Sequence, residues 1–319
     1  MQYPRTFIKQ QSAEGGFTLI ELSIVLVIIG LIVGGVLVGQ DLIRAAEVRA
    51  TITQIEKYNS AVNTFRGKFN ATPGDMPASV RSQFGFTVVS GTQLGQGNGD
   101  GVLDGFNSGT GGTPDTTAHA LAQGGGETGV FWVDLASSTA GNLIDGGFST
   151  AIETTGPAAA AAGTGILSYL PAAKLGRGNY IYVFEGMGGS AANGTPNQPG
   201  INYFGMSAVS ALTITAGVMT STPTLTVAQA YNIDKKVDDG APVTGNVLAT
   251  YVTASAVTPS VAAGTTGTLS GGTSASGVAQ ATTTCYDNGN VATGTLVYSM
   301  GTAANSGAGA NCGLSFKFQ

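Results

Sequence analysis

The stretch GGFTLIELSIVLVIIGLIVGG, residues 15–35, sets a single carboxylate, Glu21, inside a run that is otherwise apolar. From Phe17 to Gly39, Glu21 is the sole charged residue among 23. At about 1.5 Å of rise per residue, a helix of that length crosses a hydrocarbon core of about 30 Å. A charge at the centre of such a span costs about 2.5–3.5 kcal/mol on insertion scales, so Glu21 needs a partner or a route to the interface. The flanking charges do not orient the span, because Arg5 and Lys9 precede it while Arg44, Arg49 and Lys57 follow. A secretory signal peptide would place its small residues after the apolar run, whereas here Gly15 and Gly16 come before it.

The combination of a short hydrophilic leader, Gly16, Phe17, and an apolar helix interrupted only by Glu21 resembles the N-terminal signature of type IV prepilins and type II secretion pseudopilins. The resemblance covers about 55 residues strongly. It implies that a prepilin peptidase on the cytoplasmic face cuts between Gly16 and Phe17 and methylates the new amine. It implies further that the subunit passes from the inner membrane into a homo- or hetero-filament of pilin-like subunits, periplasmic or extracellular. In such a filament Glu21 would meet the Phe17 amine of a neighbour and specify register, since either charge left alone in a dry bundle is costly. The bland alternative is a glutamate near the helix start that snorkels to the headgroups. One departure stands out: many family members carry a proline near the end of the apolar segment, where this chain has Val38. Gly30, Gly34, Gly35 and Gly39 would loosen the helix there, or would allow close packing of helices.

The composition narrows what the rest can be. Of 319 residues 50 are glycine and only 10% are charged, which points to a β-rich body with long small-residue loops. A net charge of -5 offers no basic surface, so nucleic acid is not an expected partner. Cys285 and Cys312 match no zinc or redox spacing. They read either as a disulfide formed in an oxidising compartment or as two buried thiols in a reducing one.

Beyond the span, Val48, Ile52, Ile55, Val62, Phe65 and Phe69 recur at helical spacing, so the helix continues amphipathically and should lay that stripe on the body. Pro73 and Pro77 stop it. The chain therefore divides into a leader, 1–16, an assembly helix, 17–39, its amphipathic continuation, 40–70, and an α+β body of pilin-like architecture, 71–319. In the body, residues 126–137 read as a helix with Phe131 and Trp132 turned inward. A second helix is expected after Thr222 as N-cap and Pro223 at its first position, ending before Gly240. Strands are expected at 179–186, 202–208, 293–300 and 313–318 from alternation and aromatic content. Segments 154–164, 186–200 and 253–284 read as loops or edge hairpins. ATPGDMP, ETGVFW and NIDKKVDDG together resemble an uncommon subgroup of pilin-like proteins with large bodies.

Catalytic signals are sparse. His119 is the single histidine, and no P-loop or nucleophile-elbow pattern occurs. Asp238 and Asp239 before Gly240 read as a solvated turn or a metal-ligand pair rather than as hydrolytic acids. The expectation is a structural filament subunit without enzymatic activity. The alternative is a minor or tip adhesion or display module that binds an external ligand. No organic cofactor is expected. The loop GQGNGDGVLDG, residues 95–105, reads either as a polar turn that holds no ion or as a candidate weak calcium loop through Asn98, Asp100 and Asp104, although Gln96 and Asn107 stand where an EF-hand has its carboxylates.

Overall fold

The computed structural model describes residues 18–86, 97–103, 126–148, 160–161, 164–185, 200–213, 218–222, 224–251, 280–289, 291 and 294–318. They divide into two compact units, with the boundary between Ala46 and Glu47. Helix α1, Leu19–Phe69, runs through both. Within the first unit its large apolar side chains from Leu19 to Ile43 are each 50–86% exposed. Among the described residues, α1 is the one helix long and apolar enough to cross a membrane.

In the second unit α1 becomes the spine of a core. Val48, Ile55, Val62 and Phe65 are buried as their spacing requires, and Ile52 and Phe69 pack at the margin. Thr51 lies between them fully buried, which its hydroxyl tolerates by donating to the Glu47 carbonyl oxygen at 2.8 Å. The helix stops at Phe69, and Asn70 takes the left-handed conformation that closes many helices, ahead of Pro73.

Short helices α2, Ala78–Phe84, and α3, Gly126–Ala136, follow. Phe131 and Trp132 on α3 are fully buried, as expected. Arg81 of α2 reaches both carboxylate oxygens of Asp134 on α3, at 2.9 and 2.7 Å, and the pair is shut away from water. The Gly74 amide donates to the same carboxylate. Removing one member of such a pair leaves a buried charge alone, at a cost of about 3–5 kcal/mol.

The next elements in chain order are β1, Ala160–Ala161, α4, Thr164–Leu167, β2, Asn179–Glu185, β3, Asn202–Thr213, and β4, Val218–Thr222. They are followed by α5, Val227–Val237, β5, Val247–Tyr251, β6, Tyr286–Asp287, β7, Val297–Tyr298, a 3-10 turn at Thr302–Gly307, and β8, Cys312–Phe318. β3 is the hub of an antiparallel sheet. Along one edge it pairs with β2 and then β1, and along the other with β8 and then β4. β5 pairs with the far side of β8, so β8 lies between β3 and β5. Phe204 of β3 anchors the sheet to the helices: its ring stacks on Phe318 at 4.1 Å and lies 6.1 Å from each of Tyr58, Phe131 and Trp132. Opposite Tyr182 the sheet requires glycine, because a Cβ on Gly205 would stand 2.1 Å from the Tyr182 ring.

Several elements differ from their sequence reading. Thr222 ends β4 and does not cap the following helix. Thr226 does, in a reciprocal cap with Gln229, after Leu225 has bridged to Cys312. The strand expected at 293–300 shrinks to Val297–Tyr298, because its partner β6 offers only two residues before the Asp287–Gly289 turn. The strand expected at 202–208 extends instead to Thr213, lengthened by pairing with β4 across an irregularity between Val209 and Ala211. Segment 154–164, read as a loop or edge hairpin, holds the short strand β1, paired antiparallel with β3, and the start of α4. Most of 186–200 and 253–284, together with His119 and Pro223, lies outside the described residues.

Cys285 and Cys312 are joined in a disulfide that links the stretch before β6 to the first residue of β8. The two cysteines are 27 residues apart in sequence, and a loop of that length contributes about 3–4 kcal/mol by the chain-entropy estimate. Replacing both with serine should lower the unfolding free energy by that order. The fluorescence of Trp132, the chain's single tryptophan, reports it during urea titration of the detergent-solubilised chain.

Candidate functional site

At the start of α1 the Thr18 amide and hydroxyl both donate to Glu21 Oε2, at 2.7 and 2.8 Å, and the Glu21 amide donates back to Thr18 Oγ1 at 3.3 Å. Leu22 N–H donates to the Thr18 carbonyl oxygen. This is a capping box, which satisfies amides that the first helical turn would otherwise leave without partners. The Thr-x-x-Glu spacing signals it in the sequence, yet the reading above assigned Glu21 only to a neighbouring subunit or to the headgroups. Gly15, Gly16 and Phe17 lie outside the described residues. A Cβ on Gly30, Gly34, Gly35 or Gly39 would meet nothing within 4 Å, so packing within this chain does not call for glycine at any of them.

A second constellation lies in the body, at the candidate calcium loop. Asn98 and Asp100 are turned toward each other and toward the loop's own backbone. Asn98 Nδ2 donates to Asp100 Oδ2, Asp100 N–H donates to Asn98 Oδ1, and Val102 N–H donates to Asp100 Oδ1. Asp104 lies outside the described residues. The loop wraps two buried carboxyl groups. Asp75 accepts from the Gly99 and Gly101 amides at 2.6 and 2.7 Å, Glu127 accepts from the Asn98 amide at 3.0 Å, and the two carboxyl groups share a hydrogen bond. Gly97 makes the approach possible, since a Cβ there would overlap the Asp75 backbone. Burial pushes the Asp75 carboxyl up to about 6, against the loop amides that favour its charged form. Neither Asp75 nor Glu127 was singled out from sequence. The signal was their presence in ATPGDMP and ETGVFW, segments read there for a helix stop, a helix and a resemblance but not for their carboxyl groups.

The third constellation gathers Asp234, Asp238 and Asp239 at the C-terminal end of α5. Among the described residues these are the three acidic side chains whose oxygens come within 4.8 Å of one another. Tyr298 Oη donates to Asp234 at 2.7 Å, with the Gly240 amide on its other oxygen. Asp238 accepts from the amides of Asn246 and Val247, and Asp239 from the Ala241 amide and the Thr244 hydroxyl. Burial, reinforced by the two neighbouring carboxylates, pushes Asp234 up to about 6 although Tyr298 and Gly240 pull the other way. Each carboxylate oxygen has a second lone pair, so the donor set is oxygen-only and suits a hard divalent cation such as calcium.

Residues 11–37 match the family model of the prokaryotic N-terminal methylation motif. This motif is consistent with the pilin and pseudopilin superfamily, and it implies processing by a prepilin peptidase. No curated protein and no solved structure matches the chain.

Two measurements address the body's carboxyl groups. The folded chain holds the Asp75 proton more tightly than an unfolded chain, whose aspartate has the usual value of 3.8. The associated stability is complete below about pH 4 and is lost as pH rises through 6, a loss of the order of 2–3 kcal/mol. Asp234 adds a parallel loss over the same window. Urea titrations at pH 4.5 and 7.5 should show the decline, and Asp75→Asn should remove its share. Millimolar calcium should raise the melting temperature at pH 7.5, and Asp238→Asn should abolish that rise, as read by calorimetry.

Proposed function

We propose that the chain is a non-enzymatic structural subunit of a type IV pilus-like or pseudopilus filament. In this reading the precursor is cut between Gly16 and Phe17, methylated at the new amine, and assembled through α1. One observation carries it: the methylation motif leads into a helix whose apolar side chains from Leu19 to Ile43 are bare, while the unit from Glu47 onward packs its own core. A bare apolar surface of that extent needs lipid or other apolar helices around it. The exchange of lipid for neighbouring helices is what membrane storage followed by assembly requires. The disulfide fits a body held in an oxidising space, the periplasm before assembly. A minor or tip subunit uses the same N-terminal machinery, and the number of copies per filament separates it from a major one.

The capping box sharpens the test of Glu21. Gly16→Asp should leave an uncut precursor in the inner membrane, and mass spectrometry of the wild type should find methylated Phe17 at the mature terminus. Glu21→Ala removes the charge and the cap together, whereas Glu21→Gln keeps the cap and removes only the charge. If Glu21 pairs with a neighbouring amine, both variants are cut normally and both lose most of their shear-released filaments. Normal filament yield from Glu21→Gln would assign Glu21 to the cap alone.

A further inference from the structure

A cavity of about 540 Å³ opens where α1 ends, between the last turn of that helix, α2 and the loop at 99–101. That volume falls inside the range of about 300–1,000 Å³ typical of small-molecule sites. Its walls combine two kinds of surface. Phe69 and Phe84 meet edge to face at 5.1 Å, and Phe84 leaves 39% of its surface exposed at the rim. Around them stand Arg66, Asn70, Gln83 and Asp100, while Asp75, also part of the wall, is buried with its carboxyl taken up by the Gly99 and Gly101 amides. Arg66 is half-buried and donates from Nε to Thr72 Oγ1 at 3.3 Å. Its terminal amino groups donate to no described residue.

The charges select the ligand class. A phosphate or carboxylate ligand would face the Asp100 carboxylate, and an ammonium ligand would face Arg66. A neutral ligand with several hydroxyl groups meets neither penalty. A hydroxyl both donates and accepts, so one hydroxyl can give its proton to the Asp100 carboxylate and another can take an N–H from the Arg66 guanidinium. The planar amides of Asn70 and Gln83 offer the same pairing. The exposed Phe84 ring supplies an apolar plate for the C–H face of a ring compound, a contact that the surrounding polar groups cannot make. Asn70 reaches its place because it closes α1 in the left-handed conformation, with φ of 51°.

We infer that this pocket binds a neutral sugar, presented as the terminal unit of an oligosaccharide. The inference goes beyond the filament reading and does not depend on it, since every residue of the pocket belongs to the unit from Glu47 onward.

The test uses the full chain solubilised in dodecyldimethylamine oxide, a detergent without a sugar headgroup, applied to an array of neutral, sialylated and amino-sugar oligosaccharides. Retention on neutral oligosaccharides is expected, with the sialylated ones weak or blank and with competition by the matching free methyl hexoside. Phe84→Ala should weaken retention by about tenfold, as expected for loss of one ring contact. Gln83→Ala, an exposed position with no core packing to disturb, should weaken it by about two- to tenfold, the range for one hydrogen bond. An array blank for every neutral sugar would overturn the inference. So would preferential retention on sialylated sugars, or neutral-sugar retention that neither substitution changes. Filament assembly plays no part in this measurement, so a failed assembly experiment leaves its outcome readable.

Discussion

One uninterrupted helix must satisfy two different surroundings, and that constraint shapes the molecule. Up to Ala46, α1 packs its large apolar side chains against none of the described residues and presents Leu, Ile and Val all round. From Glu47 the same helix narrows to one apolar stripe and becomes the floor on which α3 and the sheet pack. The change is made by side chains alone, because the backbone stays helical from Leu19 to Phe69. Substituting a charge into either half has different consequences. Before Ala46 it alters what can surround the helix, and on the stripe after Glu47 it breaks a core.

The stripe was legible because helical spacing reports burial directly. β2 and β8 were legible for a similar reason: NYIYVFE and GLSFKF alternate or concentrate aromatic and β-branched residues, and both faces of β2 are buried. The α5 cap was missed because Thr222 and Thr226 are equivalent by residue type. What separates them is the bridge of Leu225 to Cys312, a partner 87 positions away (312 − 225) that no local pattern reveals. β5 and β4 were missed because VLATY and VMTST are too short to show a period, and their strand character comes from pairing with β8 and β3. At the candidate ion site, residue type pointed to Asn98 and Asp100, whereas geometry uses those two to fold the loop around Asp75.

Three segments of the body each deliver a buried carboxyl group. ATPGDMP supplies Asp75, ETGVFW supplies Glu127 and NIDKKVDDG supplies Asp234, all at or below 1% exposure. Buried carboxyl groups are expensive unless hydrogen-bonded, and each of these takes backbone amides or a tyrosine hydroxyl as partner. They act as internal staples for stretches without regular structure. The loop at 97–103 hangs on Asp75 and Glu127, and the turn after α5 hangs on Asp234, Asp238 and Asp239. In a chain with 50 glycines such staples replace the packing that larger side chains would give.

The place of β8 between β3 and β5 has a kinetic consequence. β2, β3 and β4 follow one another closely and can pair as a local meander, whereas β8 must return from far downstream to fill a slot between two strands already made. Such non-local closure is slow, because the loop entropy is lost before the pairing energy is gained. Until it happens, β3 and β5 each present an open edge, the kind of surface on which chains associate with one another. Cys312 is the first residue of β8, and its bond to Cys285 shortens the free chain that must be ordered when the strand closes. The rate at which Cys312 is oxidised therefore bears on how long a newly made body remains open to the wrong strand.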